Sequence, residues 1–298
     1  MEQAADLLVK IPVKTFEHDQ HVVAWIFVPD QFPPRSVVFC VPGGTFSKLY
    51  YHPDVGGAAG YSMAAFLRER GHLVVALDNL GVGDSSRPVD GAALDKTAMA
   101  DANAQAVAFV VDHLRAGTLS PNLPVMGDIP VVGVGHSMGG LSSVVLQAKH
   151  GSFDALAVLG WTNQQGTNTG HDRPIAESYT SVSRDSLRPF FHCSDVPESV
   201  MAADDRHVEP IPSGMLRDAG RDGVTAVEAA KIAVPVFICF GEFDLCPTPH
   251  LEPATYMASR DVTLLVLQGS AHNQNFAATR QTLFQRLANW IDGVVGSN

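Results

Sequence analysis

The stretch Ile129-Pro-Val-Val-Gly-Val134, followed without a break by Gly135-His136-Ser137-Met138-Gly139, decides how this chain reads. Ile129 to Val134 is short, apolar and rich in β-branched residues, as a strand buried on both faces requires. Gly135 to Gly139 has the spacing G-x-S-x-G, and a helix is predicted from about Met138 to His150. Strand, tight turn and helix in that order hold a serine above the strand end. The flanking small residues let the turn close and the helix approach the sheet. The helix N-terminus contributes partial positive charge, and the N–H of Met138 can face a developing oxyanion. Gly133-Val-Gly135 could instead open a dinucleotide-binding turn. The third glycine of that fingerprint would fall at Met138, however, and no acidic residue ends the next strand at Leu159. Neither a Walker A pattern nor H-E-x-x-H occurs, so no cofactor and no metal are expected.

Around this turn, short apolar runs alternate with longer helical segments. Upstream, Ser36 to Val41 and His72 to Leu77 read as strands, with helices predicted from about Ala58 to Arg70 and from about Leu94 to Leu114. Ala102, Ala106, Phe109 and Val110 recur at helical spacing in the second of these. Downstream come the strands Ala155 to Leu159, Val234 to Phe240 and Val262 to Leu267, a short helix after Pro249, and a final helix from Ala277 to Ile291. Two β-rich runs, Leu7 to Phe16 and His21 to Val28, read as an N-terminal hairpin. Apolar strands alternating with helices imply the α/β class, with a mostly parallel central sheet flanked by helices, in one domain spanning 1–298. Residues 162–233 interrupt the alternation; they are rich in Asp, Arg, Ser, Pro and Gly, with apolar clusters at Leu187–Phe191 and Val200–Met201. A structureless loop of that length inside a domain is improbable, so the segment is predicted to be an inserted helical lid over the strand ends.

Composition narrows the function classes. Of 298 residues 46% are hydrophobic and 17% charged, which excludes a disordered chain. The formal charge of −11 is a poor match for nucleic acid phosphates or an anionic membrane, so neither is an expected partner. The N-terminus lacks a basic segment followed by an apolar run, and no stretch reaches the roughly 18 apolar residues of a membrane span. Cys40, Cys193, Cys239 and Cys246 show no CxxC pairing and read as reduced thiols in a cytoplasmic protein, Cys40 and Cys239 being buried in strands.

With the elbow in its strand–turn–helix setting, the chain resembles the α/β-hydrolase family from about His21 to Ile291. Asp78-Asn-Leu-Gly81-Val-Gly83-Asp-Ser85 is similar to the D-x-x-G-x-G-x-S turn of many members, where it shapes the loop beneath the site. The resemblance implies a chain order of serine, acid, histidine. Gly241-Glu242-Phe243-Asp244 is similar to the segment carrying the family's acid, which points to Asp244, with Glu242 as the local alternative. Gly269-Ser-Ala-His272 is similar to the turn carrying the family's base, which points to His272. His136, inside the elbow, faces away from the reaction in the family pattern. The second oxyanion donor is implied in Pro42-Gly43-Gly44-Thr45-Phe46, at the N–H of Gly44 or Thr45, joining that of Met138; Pro42 stands where many relatives have histidine.

The resemblance thus implies a serine hydrolase that uses Ser137, His272 and Asp244 on a small-molecule ester or lactone through an acyl-enzyme. A serine at position 137 also argues against the epoxide hydrolases and haloalkane dehalogenases of this fold, whose nucleophile is an aspartate. Phe46 and Trp161 are expected at the pocket mouth with Phe190, Phe191, Val200 and Met201, suggesting an apolar substrate. Thioester hydrolysis, carbon–carbon bond hydrolysis and a non-catalytic ligand-binding role remain the alternatives.

Overall fold

A computed structural model describes residues 4–16, 18–165 and 177–296. The strands are β1 (Leu7–Thr15), β2 (His18–Phe27), β3 (Val37–Val41), β4 (Leu73–Leu77), β5 (Val131–His136), β6 (Ala155–Leu159), β7 (Tyr179–Thr180), β8 (Ile211–Pro212), β9 (Val236–Gly241) and β10 (Val262–Leu267). Eight of them form one sheet in the order β1-β2-β4-β3-β5-β6-β9-β10. The hairpin β1–β2 is antiparallel and joins β4 antiparallel, while the pairs from β4 to β10 are parallel. Fully buried strands such as β3, β4 and β5 need both faces covered, and the helices α1 (Met63–Glu69), α2 (Lys96–Ala116), α3 (Met138–His150) and α8 (Arg280–Val295) cover them.

The pleat splits the core in two. Val37, Phe39 and Val41 point to the face packed by Met99, Ala102, Ala106 and Val110 of α2 and by Leu141 and Val144 of α3. Val38 and Cys40 point to the other face, packed by Met63 and Leu67 of α1 and by Leu283, Phe284, Leu287 and Ile291 of α8. Cys40 and Cys239 are both fully buried among these residues.

Element ends shift where local chemistry outweighs periodicity. The first helix starts at Met63 rather than near Ala58, because Gly56, Gly57 and Gly60 adopt positive φ and the Ser62 hydroxyl caps the helix by accepting from Ala65 N. The last helix starts at Arg280, after a 3₁₀ turn over Gln274–Phe276. The segment after Pro249 is a 3₁₀ helix, Pro249–Thr255, with Pro253 inside it.

Part of the expected insertion, residues 166–176, lies outside the described residues. The remainder carries β7, β8 and the short helices α4 (Arg188–Phe191), α5 (Glu198–Asp204), α6 (Ser213–Ala219) and α7 (Ala226–Ala229). It closes against the sheet's C-terminal edge: Glu209 N donates to Thr45 O at 3.0 Å, and His272 N and Asn273 N donate to Phe190 O and Phe191 O, each at 3.0 Å.

Candidate active site

The carboxyl ends of β3, β5, β9 and β10 bring Pro42–Phe46, Ser137, Asp244 and His272 to one place, the crevice where parallel α/β sheets bind ligands. Ser137 has φ 53° and ψ −121°, an uncommon conformation for a residue with a side chain. Ser137 N donates to Leu159 O at 2.8 Å, and the turn requires its glycines: a Cβ on Gly139 would lie 2.1 Å from Val41 O, and one on Gly135 would lie 2.5 Å from Gly139 O. The same crowding explains Gly43, whose Cβ would fall 2.9 Å from that of Ser137.

His272 Nε2 stands 2.9 Å from Ser137 Oγ, and its Nδ1 stands 2.7 Å from Asp244 Oδ1. Nδ1 therefore carries the proton toward the carboxylate, leaving Nε2 to accept from the serine hydroxyl. Asp244 also accepts from Leu245 N, Gly241 N and Gln274 Nε2 at 2.8, 3.1 and 2.9 Å. Burial works against its charge, but the neighbouring imidazole and these donors outweigh burial and hold its pKa below the usual carboxylate value. Glu242 is exposed and accepts from Gly269 N at 2.9 Å, so it braces the turn and does not reach His272. Phe191 of α4 lies over His272, ring centroids 5.6 Å apart and planes 28° apart.

His136 points away from Ser137. Its Nε2 donates to His272 O at 2.9 Å, its ring stacks on Tyr50 at 4.3 Å, and burial lowers its pKa to about 3, which keeps it neutral.

The expected oxyanion loop is a tight turn closed by Phe46 N donating to Gly43 O, with Thr45 at φ 68°. Pro42 O accepts from Asn79 Nδ2 at 3.0 Å, and Asn79 Oδ1 accepts in turn from Asn103 Nδ2 at 2.9 Å. This buried amide chain holds the loop from below. Its parts are set far apart in sequence, and only the position of Asn79 beside Asp78 could have drawn attention to it. Gly44, Thr45 and Met138 meet at a small cavity of about 20 Å³ that Met99, Met215, Ile211 and Val82 also line. Phe46 does not line it; it is buried among Tyr50, Phe191 and Phe276 beneath the Arg184 guanidinium. Trp161 does not line it either, being half-buried with its Nε1 donating to Thr225 Oγ1 at 2.9 Å. A larger groove of about 730 Å³ lies elsewhere, beside Asp30, Phe66, Arg68 and Gln281.

A second Ser-His-Asp array exists at the opposite end of the sheet: Ser36 Oγ is 2.9 Å from His72 Nδ1, and His72 Nε2 is 3.5 Å from Asp292 Oδ1. Ser36 and His72 are fully buried, and burial lowers the His72 pKa to about 4. A sealed hydroxyl cannot meet a substrate, so the Ser36–His72 hydrogen bond serves to join the starts of β3 and β4.

Among the described residues, no group of three His, Cys, Asp or Glu is placed to hold a metal ion. No helix among them is long and apolar enough to cross a membrane.

Comparison with known proteins agrees with this architecture. The profile of the alpha/beta hydrolase family matches residues 37–284, and the chain belongs to that family. A search of curated proteins finds no match. Among solved structures, an esterase from Exiguobacterium antarcticum is 17% identical with a TM-score of 0.66, over 95% of this chain and 100% of that one. A thermostable carboxyl esterase from Bacillus coagulans is 17% identical with a TM-score of 0.65, over 97% and 99%. An enol-lactonase from Burkholderia xenovorans LB400 is 16% identical with a TM-score of 0.63, over 94% and 98%. At such identities the likeness shows the shared fold; chemistry has to be argued from the site.

Proposed function

We propose that the chain is a serine hydrolase that cleaves a carboxylic ester or lactone of a small apolar molecule. The observation that carries this reading is the hydrogen-bonded line from Ser137 Oγ through His272 to Asp244, at 2.9 and 2.7 Å, at the mouth of a nucleophile elbow. His272 Nε2 takes the Ser137 hydroxyl proton as Oγ attacks the carbonyl carbon, and Asp244 stabilises the imidazolium that forms. The carbonyl oxygen becomes an oxyanion facing the N–H of Met138 and that of Gly44 or Thr45. His272 then returns the proton to the departing alkoxide, leaving an acyl-serine. A water molecule deprotonated by His272 attacks the acyl carbon, and the proton passes back to Ser137 Oγ as the acid is released.

Residues 162–233 act as a lid in this reading, with Phe191 over the base and β8 beside the oxyanion loop. The apolar lining from Met99, Met138, Met215 and Ile211 supports an apolar acyl group. Four cysteines without disulfides suit a reducing cytoplasm, and a formal charge of −11 suits an uncharged small substrate better than a polyanion.

The test is a fluorophosphonate probe with a panel of p-nitrophenyl esters, lactones, thioesters and β-diketones. Wild type is expected to be labelled and to turn over esters or lactones; Ser137→Ala is expected to do neither while keeping its thermal midpoint. A folded wild type that is never labelled would instead indicate a ligand-binding member of the fold. Turnover confined to thioesters or β-diketones would move the reaction to those classes.

A further inference from the structure

Arg184 is buried, which is rare for an arginine unless it is paired. It lies in the lid segment, just before α4, and is 3% exposed. Its Nη1 donates to Asp204 O at 2.7 Å and contacts the Asp204 carboxylate at 2.5 Å. Its Nη2 donates to Thr45 O at 2.7 Å, its Nε lies 3.4 Å from Thr45 Oγ1, and the guanidinium carbon sits 3.9 Å over the Phe46 ring. The whole planar fork is thus spent on the two residues that end the oxyanion loop and on the acid that holds it there. A buried ion pair is a poor source of stability, because desolvation opposes it, and its better-attested use is to fix one geometry.

The loop needs such fixing. Thr45 is β-branched and sits at φ 68°, in the left-handed region that favours glycine. Such a conformation persists only where the surroundings over-determine it. Two donors converge on the Thr45 carbonyl, Arg184 Nη2 and Glu209 N at 3.0 Å, and both come from the lid segment. Turning Thr45 out of this conformation rotates the peptide planes on either side of it, including the one that carries its own N–H.

We propose that Arg184 is a positioning residue that clamps Thr45 and so holds the oxyanion-loop N–H groups in the orientation needed to bind the developing oxyanion. Asp204 anchors the clamp, and the lid thereby sets transition-state stabilisation without touching the reacting atoms. The inference rests on the serine-hydrolase reading.

Ester hydrolysis by wild type, Arg184→Lys and Arg184→Gln tests it, with fluorophosphonate labelling and thermal midpoint measured on each. An oxyanion contact acts in the transition state, so Arg184→Gln is expected to lower kcat by about 10- to 1000-fold while KM moves less than about threefold. Arg184→Lys keeps the charge but loses the fork, and should fall between Gln and wild type. In a Thr45→Gly background, where glycine takes the turn without support, Arg184→Gln should cost at least tenfold less than in the parent. Unchanged kcat, a rise in KM alone, or an equal loss in both backgrounds would overturn the positioning role. So would failure of the Arg184 variants to fold in both backgrounds, which would make the residue purely structural. An unlabelled, folded wild type would instead remove the serine-hydrolase reading, and the proposal with it.

Discussion

Replacing Asn79 with alanine tests how the loop Pro42–Phe46 is held beneath the site. Asn79 donates to Pro42 O and accepts from Asn103 Nδ2, with Asn79 6% exposed and Asn103 0%. Asn79→Ala therefore strands two buried polar groups, Pro42 O and Asn103 Nδ2, each costing about 1–3 kcal/mol. A loss of about 3 kcal/mol is expected. Asn103→Ala strands only Asn79 Oδ1 and removes Asn103 Oδ1, which finds no partner among the described residues, so its expected cost is about 1 kcal/mol. The double variant leaves Pro42 O alone unpaired and should cost about 2 kcal/mol, giving a coupling of about 2 kcal/mol between the sites. Urea unfolding of the four proteins measures the cycle, and ester hydrolysis on the same samples measures the loop. A freed Pro42 carbonyl is expected to lower kcat about tenfold, as a barrier rise of about 1.4 kcal/mol would. Stabilities that add to within about 0.5 kcal/mol would refute the amide chain as the support of this loop.

Gly139→Ala places a Cβ 2.1 Å from Val41 O, and should yield no soluble protein or a thermal midpoint far below wild type. Gly57→Ala, with nothing within 4 Å but φ +86°, should cost only about 1–2 kcal/mol. Lys48 Nζ holds the fully buried Asp78 at 2.6 Å and the exposed Asp84 at 2.7 Å. Burial opposes its charge, but these carboxylates outweigh burial and raise its pKa. Lys48→Met should therefore cost about 3–5 kcal/mol in urea, and Asp78→Asn in the same chain should restore part of the loss. Burial lowers His72 and His192 to about 4 and His136 to about 3, from an ordinary value of 6.5. The unfolded chain then binds more protons between pH 6.5 and 3, so this contribution is complete above pH 6.5 and is lost as pH falls through that window. Asp204, raised by burial to about 6, acts with opposite sign between pH 6 and its ordinary 3.8, and softens the loss. Urea midpoints should stay level from pH 7.5 to 6.5 and fall from there to pH 4; a profile flat throughout would show that the three histidines are not held neutral by burial.

Much of the sheet is written in local pattern. Ala155–Leu159 and Val262–Leu267 have the same limits in sequence and structure because an apolar run between breakers leaves few other options. The start of α1 was less legible, since Ser62 and the glycines before it decide where the first turn is capped. Ser137, Asp244 and His272 stand out in sequence because each sits at a strand end within a short signature. The structure brings them within hydrogen-bonding distance, while Glu242, the local alternative to Asp244, accepts from Gly269 N. Phe46 and Trp161 could be recognised as aromatic, but their neighbours come from distant segments, and both are engaged in packing or hydrogen bonds away from the small cavity.

By itself the sequence determined the class of fold and the turn at Ser137, and its family resemblance pointed to Asp244 and His272 in that order. Fold class and turn depend on periodicity and on turn chemistry spanning a few residues, which side-chain size and backbone freedom dictate locally. Only the tertiary structure decided what supports them: Asn79 and Asn103 under Pro42, Arg184 and Asp204 against Thr45, and Phe191 over His272. Each of those contacts joins residues distant along the chain, and a side chain that can serve as core, cap or clamp takes its role from the partner the folded chain brings to it.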